Sequence, residues 1–397
     1  MTIMNKIIPK HLDVLIAGGG AAGFFTAINI AEQIGDARIA ILERGKEALA
    51  KVRISGGGRC NVTHAEFVPR PLSKNYPRGE KELLGPFHSF MTGDVMAWFE
   101  DRGVPLKIEE DGRVFPTSDS SQTIINCFQN RIKELDVSIF YNSVVKKITR
   151  DDKQWFVETS QEHYTCTHLV MATGSNPKIW KVLQAMGHTI VPPVPSLFTF
   201  NIKDKRIDGL MGVSTVASVH IEGAKLKAEG PLLITHWGLS GPGVLKLSAW
   251  GAQILHKLEY KFSVRVNWLV SMTIDETVAI LSKLKEQLSR QSPYTRVQFD
   301  LPKRLWHRLL EAALITSEKN WADLSKKQIH ALAIQLCASD FLVDGKSNFK
   351  EEFVTAGGID LKEVDFKTFS SKKQDHLYFA GEILNICLLY TSPSPRD

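Results

Sequence analysis

The first hydrophobic pattern of the chain is a short apolar run, residues 14–17, that leads directly into a glycine turn. Residues 24–34 then carry apolar side chains at helical spacing, and residues 38–42 form a second apolar run that ends on Glu43. Short apolar runs separated by a turn and a helix are typical of strands buried in a parallel sheet. The pattern predicts a strand, a tight turn, a helix and a second strand, which is the unit of a Rossmann-type fold.

Four glycines occupy the turn, and three of them each suit a separate requirement of a dinucleotide. Gly18 permits the sharp turn, Gly20 lets a pyrophosphate approach the backbone, and Gly23 allows the helix to pack against the sheet. Ala21 and Ala22 begin the helix, whose free N–H groups and partial positive charge favour phosphate groups. We expect these five residues to bind the cofactor; the alternative is a turn with no ligand.

The acid that ends the second apolar run completes this motif. Glu43 stands roughly twenty residues beyond the glycines, where a carboxylate can accept hydrogen bonds from ribose hydroxyls. An acid at this position favours a ribose with a free 2′-hydroxyl, as in FAD or NAD, over NADP. The motif alone does not separate FAD from NAD.

A second glycine cluster follows Glu43. Three adjacent glycines cannot pack a core, but they can present backbone N–H groups in a concavity that suits an anion. The nearby cations could face a pyrophosphate, and a flexible loop is the alternative. The residues expected to bind the cofactor here are Arg44, Lys51, Ser55, Gly56, Gly57, Gly58, Arg59, Cys60 and Asn61. Cys60 is either redox-active or structural, and no partner cysteine stands near it in the sequence.

Between residues 87 and 171 the spacing predicts two helices, a hairpin turn and four strands. The helices are expected at residues 87–102 and 123–135, the hairpin at 110–116, and the strands at 137–141, 144–148, 155–159 and 169–171. The last strand leads into Ala172, Thr173 and Gly174, a small-residue turn that can bring backbone close to a cofactor.

The second half of the chain changes character after a proline-rich segment, residues 191–196, which cannot be a central strand. Residues 198–268 alternate short β-like runs with turns, and this alternation predicts a small β-barrel or sheet. Residues 275–339 are mostly helical in period and include an apolar stripe formed by Trp306, Leu309, Leu310, Ala313 and Leu314. A strand at 376–380 then ends on Gly381 and Glu382.

One loop in this second half carries a candidate catalytic side chain. Residues 231–243 place glycines, a serine and His236 between two apolar runs. A histidine titrates near neutrality and can transfer protons, so His236 is the candidate for proton transfer. The alternative is that His236 hydrogen-bonds its own loop.

Composition narrows the class of protein. The chain has 397 residues, is 43% hydrophobic and carries a net charge of +6, which is ordinary for a globular protein and too diffuse to require nucleic acid. The cysteines argue against a disulfide framework and a zinc site, because they are scattered and odd in number: Cys60, Cys127, Cys166, Cys337 and Cys387. We expect no metal, no signal peptide, no membrane span and a cytoplasmic location. The sequence indicates no oligomeric state.

Several of these segments resemble the HI0933-like flavoprotein family of FAD-dependent oxidoreductases. The resemblance rests on the Gly18 turn and on residues 55–61, 110–116, 172–174, 235–242, 355–358 and 379–382, and it runs from about residue 13 to residue 386. It implies FAD, held in part by Val145 near the adenine and by Ala172, Thr173, Gly174, Gly381 and Glu382. It also implies redox chemistry that is described in some members as aminoacetone oxidation and in others as steroid or bile-acid reduction.

The predicted fold class is α/β, a Rossmann-type FAD-binding domain with an inserted β-barrel-like domain and a helical subdomain. The boundaries are expected at residues 1–195 for the first part of the FAD-binding domain, 196–272 and 337–350 for the β domain, 273–336 for the helical subdomain and 351–386 for the return segment. Residues 387–397 depart from the family pattern and resemble translated adapter sequence. They are excluded from the fold, and we expect a chain that ends in this way to bind FAD weakly or not at all.

The predicted function is FAD-dependent hydride transfer to or from a small-molecule substrate, with NAD(P)H as co-substrate. The alternatives are a flavin amine oxidase that uses oxygen, an RNA-modifying flavoprotein and a non-catalytic FAD-binding protein. The sequence shows no second GxGxxG, no RNA-binding motif and no basic aromatic stripe, so no nucleic-acid partner is expected.

Overall fold

A computed structural model describes residues 10–347 and 354–387. These residues contain eleven α-helices and twenty strands, numbered in chain order. The helices are α1 Ala21–Gln33, α2 Ala50–Ile54, α3 Pro69–Ser73, α4 Glu80–Ser89, α5 Thr92–Glu100, α6 Ser121–Glu134, α7 Pro177–Ala185, α8 Pro242–Lys257, α9 Ile274–Gln287, α10 Lys303–Ala312 and α11 Lys326–Cys337. The strands are β1 Lys10–Ala17, β2 Ile39–Leu42, β3 Thr63–His64, β4 Leu106–Ile108, β5 Arg113–Pro116, β6 Ser138–Phe140, β7 Val145–Arg150, β8 Trp155–Thr159, β9 His163–Met171, β10 Ile190–Ser196, β11 Phe200–Asn201, β12 Ser214–Ile221, β13 Leu226–Ile234, β14 Gly238–Ser240, β15 Lys261–Asn267, β16 Ser339–Asp344, β17 Val354–Ile359, β18 Val364–Asp365, β19 Ser370–Ser371 and β20 Leu377–Phe379.

The described residues divide into two compact units, residues 10–193 with 355–387 and residues 194–347 with 354. The first unit is built on parallel strands in the order β20-β9-β1-β2-β6, with the antiparallel β19 and β18 beyond β20. Strands β7 and β8 attach to β9 as an antiparallel pair. The predicted strand, turn, helix and strand are therefore present, and they lie at the centre of this sheet.

The central strands are apolar at residues 14–17 of β1, 39–42 of β2 and 169–171 of β9, because both faces of the sheet are covered there. On β1, Val14 and Ile16 belong to one core, while Leu15 and Ala17 belong to the core of the other face. The first core includes Phe24, Ile28, Phe99 and Phe128, and the second includes Trp155, Trp180, Leu183 and Phe379.

One predicted helix of this unit was wrong. Residues 87–102 do not form a single helix, because Phe90 is extended (φ −153°) and separates α4 from α5. Asp94 accepts a hydrogen bond from the backbone N–H of Met91 (2.8 Å), and this contact starts a new helix. The predicted hairpin at 110–116 and the helix at 123–135 are confirmed as β4–β5 and α6.

The second unit contains an antiparallel sheet in the order β11-β14-β13-β12-β15-β16. Its two edge strands meet, since Phe200 forms a bridge with Lys346 and the N–H of Asn201 donates to the carbonyl of Gly345 (3.0 Å). The sheet is therefore nearly closed, and the predicted β-barrel-like domain is confirmed.

The sequence pattern missed one helix of the second unit. Helix α8 occupies the middle of the region predicted to be all β, and it buries Val244 and Leu247 in the core of this unit. The predicted stripe at Trp306 to Ala313 is buried, but Leu314 lies past the end of α10 and is 80% exposed. The division into a β domain and a helical subdomain stays a prediction, because the sheet and helices α9 to α11 share one hydrophobic core.

None of the helices within residues 10–347 and 354–387 is long and apolar enough to cross a bilayer. Cys387, the first residue of the predicted tail, is buried, and its N–H donates to the carbonyl of Arg78 (3.3 Å). The rest of that predicted tail lies outside the described residues.

A polar network joins the turn after α7 to the residues around β18 and β19. His188 lies with Nδ1 3.0 Å from Glu363 Oε2 and Nε2 3.2 Å from Ser371 Oγ. Glu363 also accepts hydrogen bonds from Lys373 Nζ (2.6 Å) and from the N–H of Thr189 (3.0 Å). Burial alone would raise the pKa of Glu363, but these hydrogen bonds outweigh it and lower the pKa to about 2.

We expect Glu363→Gln to destabilise the protein at neutral pH by about 3 kcal/mol, because the folded state holds this carboxylate well below its ordinary pKa. A lowered pKa contributes stability that is fully present above about 4.5 and is lost as the pH falls toward about 2. Urea unfolding of the two proteins across that range checks this. The exposed Asp152→Asn serves as a control. The expectation is contradicted if the difference in free energy of unfolding between Glu363→Gln and the unaltered protein does not become smaller as the pH falls.

Candidate cofactor site

Gly18, Gly20 and Gly23 of the first turn meet different surroundings. A Cβ added to Gly18 would lie 2.3 Å from the carbonyl oxygen of Ala172, and one added to Gly23 would lie 1.9 Å from the carbonyl oxygen of Gly18. A Cβ added to Gly20 would meet nothing within 4 Å. Gly18 and Gly23 therefore allow the backbone to close the turn, whereas Gly20 leaves an open approach to the start of α1.

Glu43 directly follows β2, and its carboxylate is directed at the turn. Oε2 accepts a hydrogen bond from the N–H of Gly19 (3.0 Å), and Oε1 accepts one from the N–H of Gly45 (2.6 Å). Each carboxylate oxygen has a second lone pair, so both can still accept from ribose hydroxyls. Sequence reasoning missed Gly19 and Gly45; the only signal was their position beside the turn and the acid.

The segment after β6 runs along this acid. The N–H of Glu43 donates to the carbonyl of Phe140 (2.9 Å), and the N–H of Ser143 donates to the carbonyl of Glu43 (2.8 Å). Val145 follows at the start of β7 with its side chain buried. Arg44 is exposed beside them. The contact of Val145 with adenine stays a prediction.

The second predicted turn, residues 172–174, follows β9 and lies beside the end of β1. The N–H of Ala172 donates to the carbonyl of Ala17 (2.8 Å), at the end of β1. The hydroxyl of Thr173 is buried and has no hydrogen-bond partner among the described residues. Buried polar groups normally have hydrogen-bond partners, so this hydroxyl is suited to form a hydrogen bond with a bound ligand.

The end of β20 also reaches the turn. A Cβ added to Gly381 would lie 2.9 Å from Cβ of Ala22, so this glycine permits close contact with the start of α1. The next residue, Glu382, forms an exposed ion pair with Lys51 (3.0 Å). A Cβ on Gly174 would lie 3.9 Å from Glu382 Oε2 and 4.0 Å from Lys51 Nζ. These predicted residues therefore lie together around the ends of β1, β9 and β20.

The second glycine cluster forms a short 3-10 turn, Ser55–Gly58, with an unusual backbone. Gly56, Gly57 and Gly58 all have positive φ values of 60°, 65° and 87°. Successive backbone N–H groups in a turn conformation can form a concavity that holds an anion. A Cβ added to Gly57 or to Gly58 would meet nothing within 4 Å, so the concavity has an open side. We call residues 56–58 the glycine nest.

The three side chains that follow the nest, those of Arg59, Cys60 and Asn61, are engaged with the protein itself. Arg59 pairs with Glu109 (2.6 Å) and Asp119 (3.3 Å), which gives no support to a contact between Arg59 and a pyrophosphate. Burial raises the pKa of the Cys60 thiol, although Ser55 opposes this, and an un-ionised thiol favours the structural alternative. Asn61 Oδ1 accepts from the N–H of Val114 (3.3 Å).

His236 lies in the second unit, at a cavity of about 450 Å³. Lys203, Lys205, Ile207 and Met211 also line this cavity. The His236 ring is exposed and makes no hydrogen bond within the described part of the chain, so the alternative in which it bonds its own loop is not what the structure shows.

The first unit fits FAD by three separate observations. The open backbone at Gly20 leaves room for a pyrophosphate, the tethered carboxylate of Glu43 suits a ribose, and the hydroxyl of Thr173 lacks a partner. Together the Rossmann-type sheet and this site define an FAD-dependent oxidoreductase. Residues 12–388 match the family described as HI0933-like protein Rossmann domain, and the chain belongs to that family.

Two relatives with assigned activities are similar over nearly the whole chain. The ribosomal RNA dihydrouridine synthase of Haemophilus influenzae is 27% identical over 391 residues, which cover 95% of this chain and 93% of that protein. The 3-dehydro-bile acid delta(4,6)-reductase of Clostridium scindens is 28% identical over 387 residues, which cover 94% and 92%. Among solved structures, the 3-ketosteroid-delta4-(5alpha)-dehydrogenase of Rhodococcus jostii RHA1 aligns over 98% of this chain and 95% of its own, at 12% identity and a TM-score of 0.49.

We expect Gly20→Ala to weaken FAD binding by roughly tenfold or more, about 1.4 kcal/mol, because its methyl group would occupy the open approach to the backbone. The free energy of unfolding should change little, since the added Cβ meets no neighbour. Titration of flavin fluorescence and urea unfolding measure the two effects. Gly35→Ala, at a similarly open glycine just beyond α1, is the matched control. Equal affinities in Gly20→Ala and Gly35→Ala would contradict the assignment.

Proposed function

We propose that this protein reduces a carbon–carbon double bond conjugated to a carbonyl group, with NAD(P)H as the source of electrons. The observation that carries this proposal is the reaction shared by the two relatives. Forming dihydrouridine saturates a double bond of the uracil ring, and a delta(4,6)-reductase saturates double bonds of a steroid. Both reactions add a hydride and a proton across an electron-poor alkene.

The first unit supplies the residues that would hold the cofactor. The open backbone at Gly20 would receive the pyrophosphate, Glu43 the ribose, and the glycine nest a further polar group. When bound, FAD supplies the hydride chemistry, and the protein contributes position and electrostatics.

His236 is the residue we propose for the proton. Reduction of a conjugated double bond needs a proton as well as a hydride, and a histidine is suited to donate one near neutral pH. Its exposed ring, its position at a cavity and its lack of a hydrogen bond in the described part of the chain support this role.

The test is an anaerobic experiment with FAD-loaded protein. We expect NADH or NADPH to bleach the flavin absorbance, and a conjugated substrate to restore it without oxygen. A uridine-containing RNA and a steroid 4-en-3-one are the two probes, since they separate the nucleic-acid reaction from the small-molecule reaction. Oxygen consumption with an amine and without NAD(P)H would instead support the amine oxidase alternative.

We expect His236→Gln to lower kcat by about a hundredfold while the affinity for FAD stays unchanged, because general acid catalysis typically contributes that much. Single-turnover reoxidation of the reduced flavin by the active probe measures the step directly. The exposed His330→Gln serves as the matched control. Retention of the full rate in His236→Gln would remove this residue from the mechanism.

A further inference from the structure

The glycine nest depends on contacts from outside its own sequence. Glycine loses more conformational freedom on ordering than any other residue, so three consecutive glycines do not hold one backbone conformation by themselves. The N–H of Arg59 donates to the carbonyl of Gly56 (3.2 Å), and the N–H of Cys60 donates to that of Ser55 (2.9 Å). These two hydrogen bonds lie within the loop, so they close the turn but do not fix where the loop lies on the protein.

The hairpin of β4 and β5 supplies that position. A Cβ added to Gly56 would lie 3.0 Å from the ring of Phe115, so the nest packs directly on this side chain. The backbone of Val114 bonds on both sides, donating to Asn61 Oδ1 (3.3 Å) and accepting from the N–H of Val62 (2.8 Å). The loop that contains the nest is therefore fastened along β5.

Arg59 covers the same aromatic ring. Its guanidinium carbon lies 3.9 Å from the centre of the Phe115 ring. Nη1 donates to Glu109 Oε1 (2.6 Å) and to Asp119 Oδ1 (3.3 Å), so two acids hold the guanidinium in this position. Charge-assisted hydrogen bonds of this kind are stronger than neutral ones and fix geometry as well as energy.

The charges around Arg59 are balanced. Arg113 Nη2 lies 3.3 Å from Glu109 Oε2, and Lys107 forms an ion pair with Asp119. The two acids are thus shared among three cations, and Arg113 also pairs with Asp111 (2.7 Å). Arg59 therefore carries no surplus charge toward a phosphate, and its contacts are those of a residue that holds the loop.

We infer that Glu109 and Asp119 are positioning residues for FAD. They fix Arg59 on Phe115, the Phe115 ring packs on Gly56, and the backbone of the nest is thereby held in one conformation. Neither acid needs to touch the cofactor for this role. The inference concerns cofactor binding and does not depend on the proposed reductase reaction.

The test compares Glu109→Gln, Asp119→Asn and the double variant with the unaltered protein. We expect the Kd for FAD, measured by flavin fluorescence, to rise about tenfold in the double variant, because the charged partners of Arg59 are lost. Amide hydrogen exchange of residues 55–61 in the cofactor-free protein should become faster. Glu110→Gln removes an exposed acid from the same hairpin and should change neither quantity.

A parallel titration with ADP identifies what the nest holds. A loss of affinity for both ADP and FAD would mean that the nest binds the pyrophosphate, and a loss for FAD alone would mean that it binds the flavin half; either result supports the inference. An unchanged Kd with unchanged exchange would overturn it, as would an equal loss in Glu110→Gln. If the double variant does not fold, Asp119→Asn decides, since that side chain is 44% exposed.

Discussion

The first unit depends on close approach between backbones at the ends of its central strands. A methyl group on Gly18 would overlap the carbonyl of Ala172, and one on Gly23 would overlap the carbonyl of Gly18. Only glycine permits these contacts, which allow β1, its turn, α1 and the end of β9 to meet. The other residues of the candidate site are arranged around this junction, because Thr173 directly follows Ala172 and because Glu43 and Gly381 reach the junction from two other segments.

The site is held by polar tethers more than by packing. The Glu43 carboxylate is fixed by two backbone N–H groups, Lys51 is paired with Glu382, and the glycine nest is fastened to β5. Tethers of this kind place a group while leaving lone pairs, open backbone and solvent-exposed surface available to a ligand. A site of the same shape built from apolar contacts would have little capacity left for a pyrophosphate or a ribose.

Much of the fold and part of the site could be predicted from the sequence, because they depend on the spacing of apolar residues and glycines within short segments. The apolar runs and glycines of residues 14–43 determine a strand, a turn and a helix without help from distant segments. The break at Phe90 has a local cause, since Asp94 accepts from the N–H of Met91 and starts a new helix. The helix at 242–257 was missed because a short apolar run does not distinguish a buried helix from a strand. The exposure of Leu314 was missed because element boundaries are poorly determined by periodicity. The pairing of Arg59 with Glu109 and Asp119 was hidden because fifty or more residues separate the partners.

The near closure of the second unit has a consequence for how the chain is assembled. Phe200, close to its first residue, is bridged to Lys346, close to its last. A segment whose two ends are neighbours can be lengthened, shortened or exchanged without displacing the parts of the chain that precede and follow it. The near-closed sheet therefore makes the second unit a segment that can be changed, including the residues around His236, without disturbing the junction at Gly18.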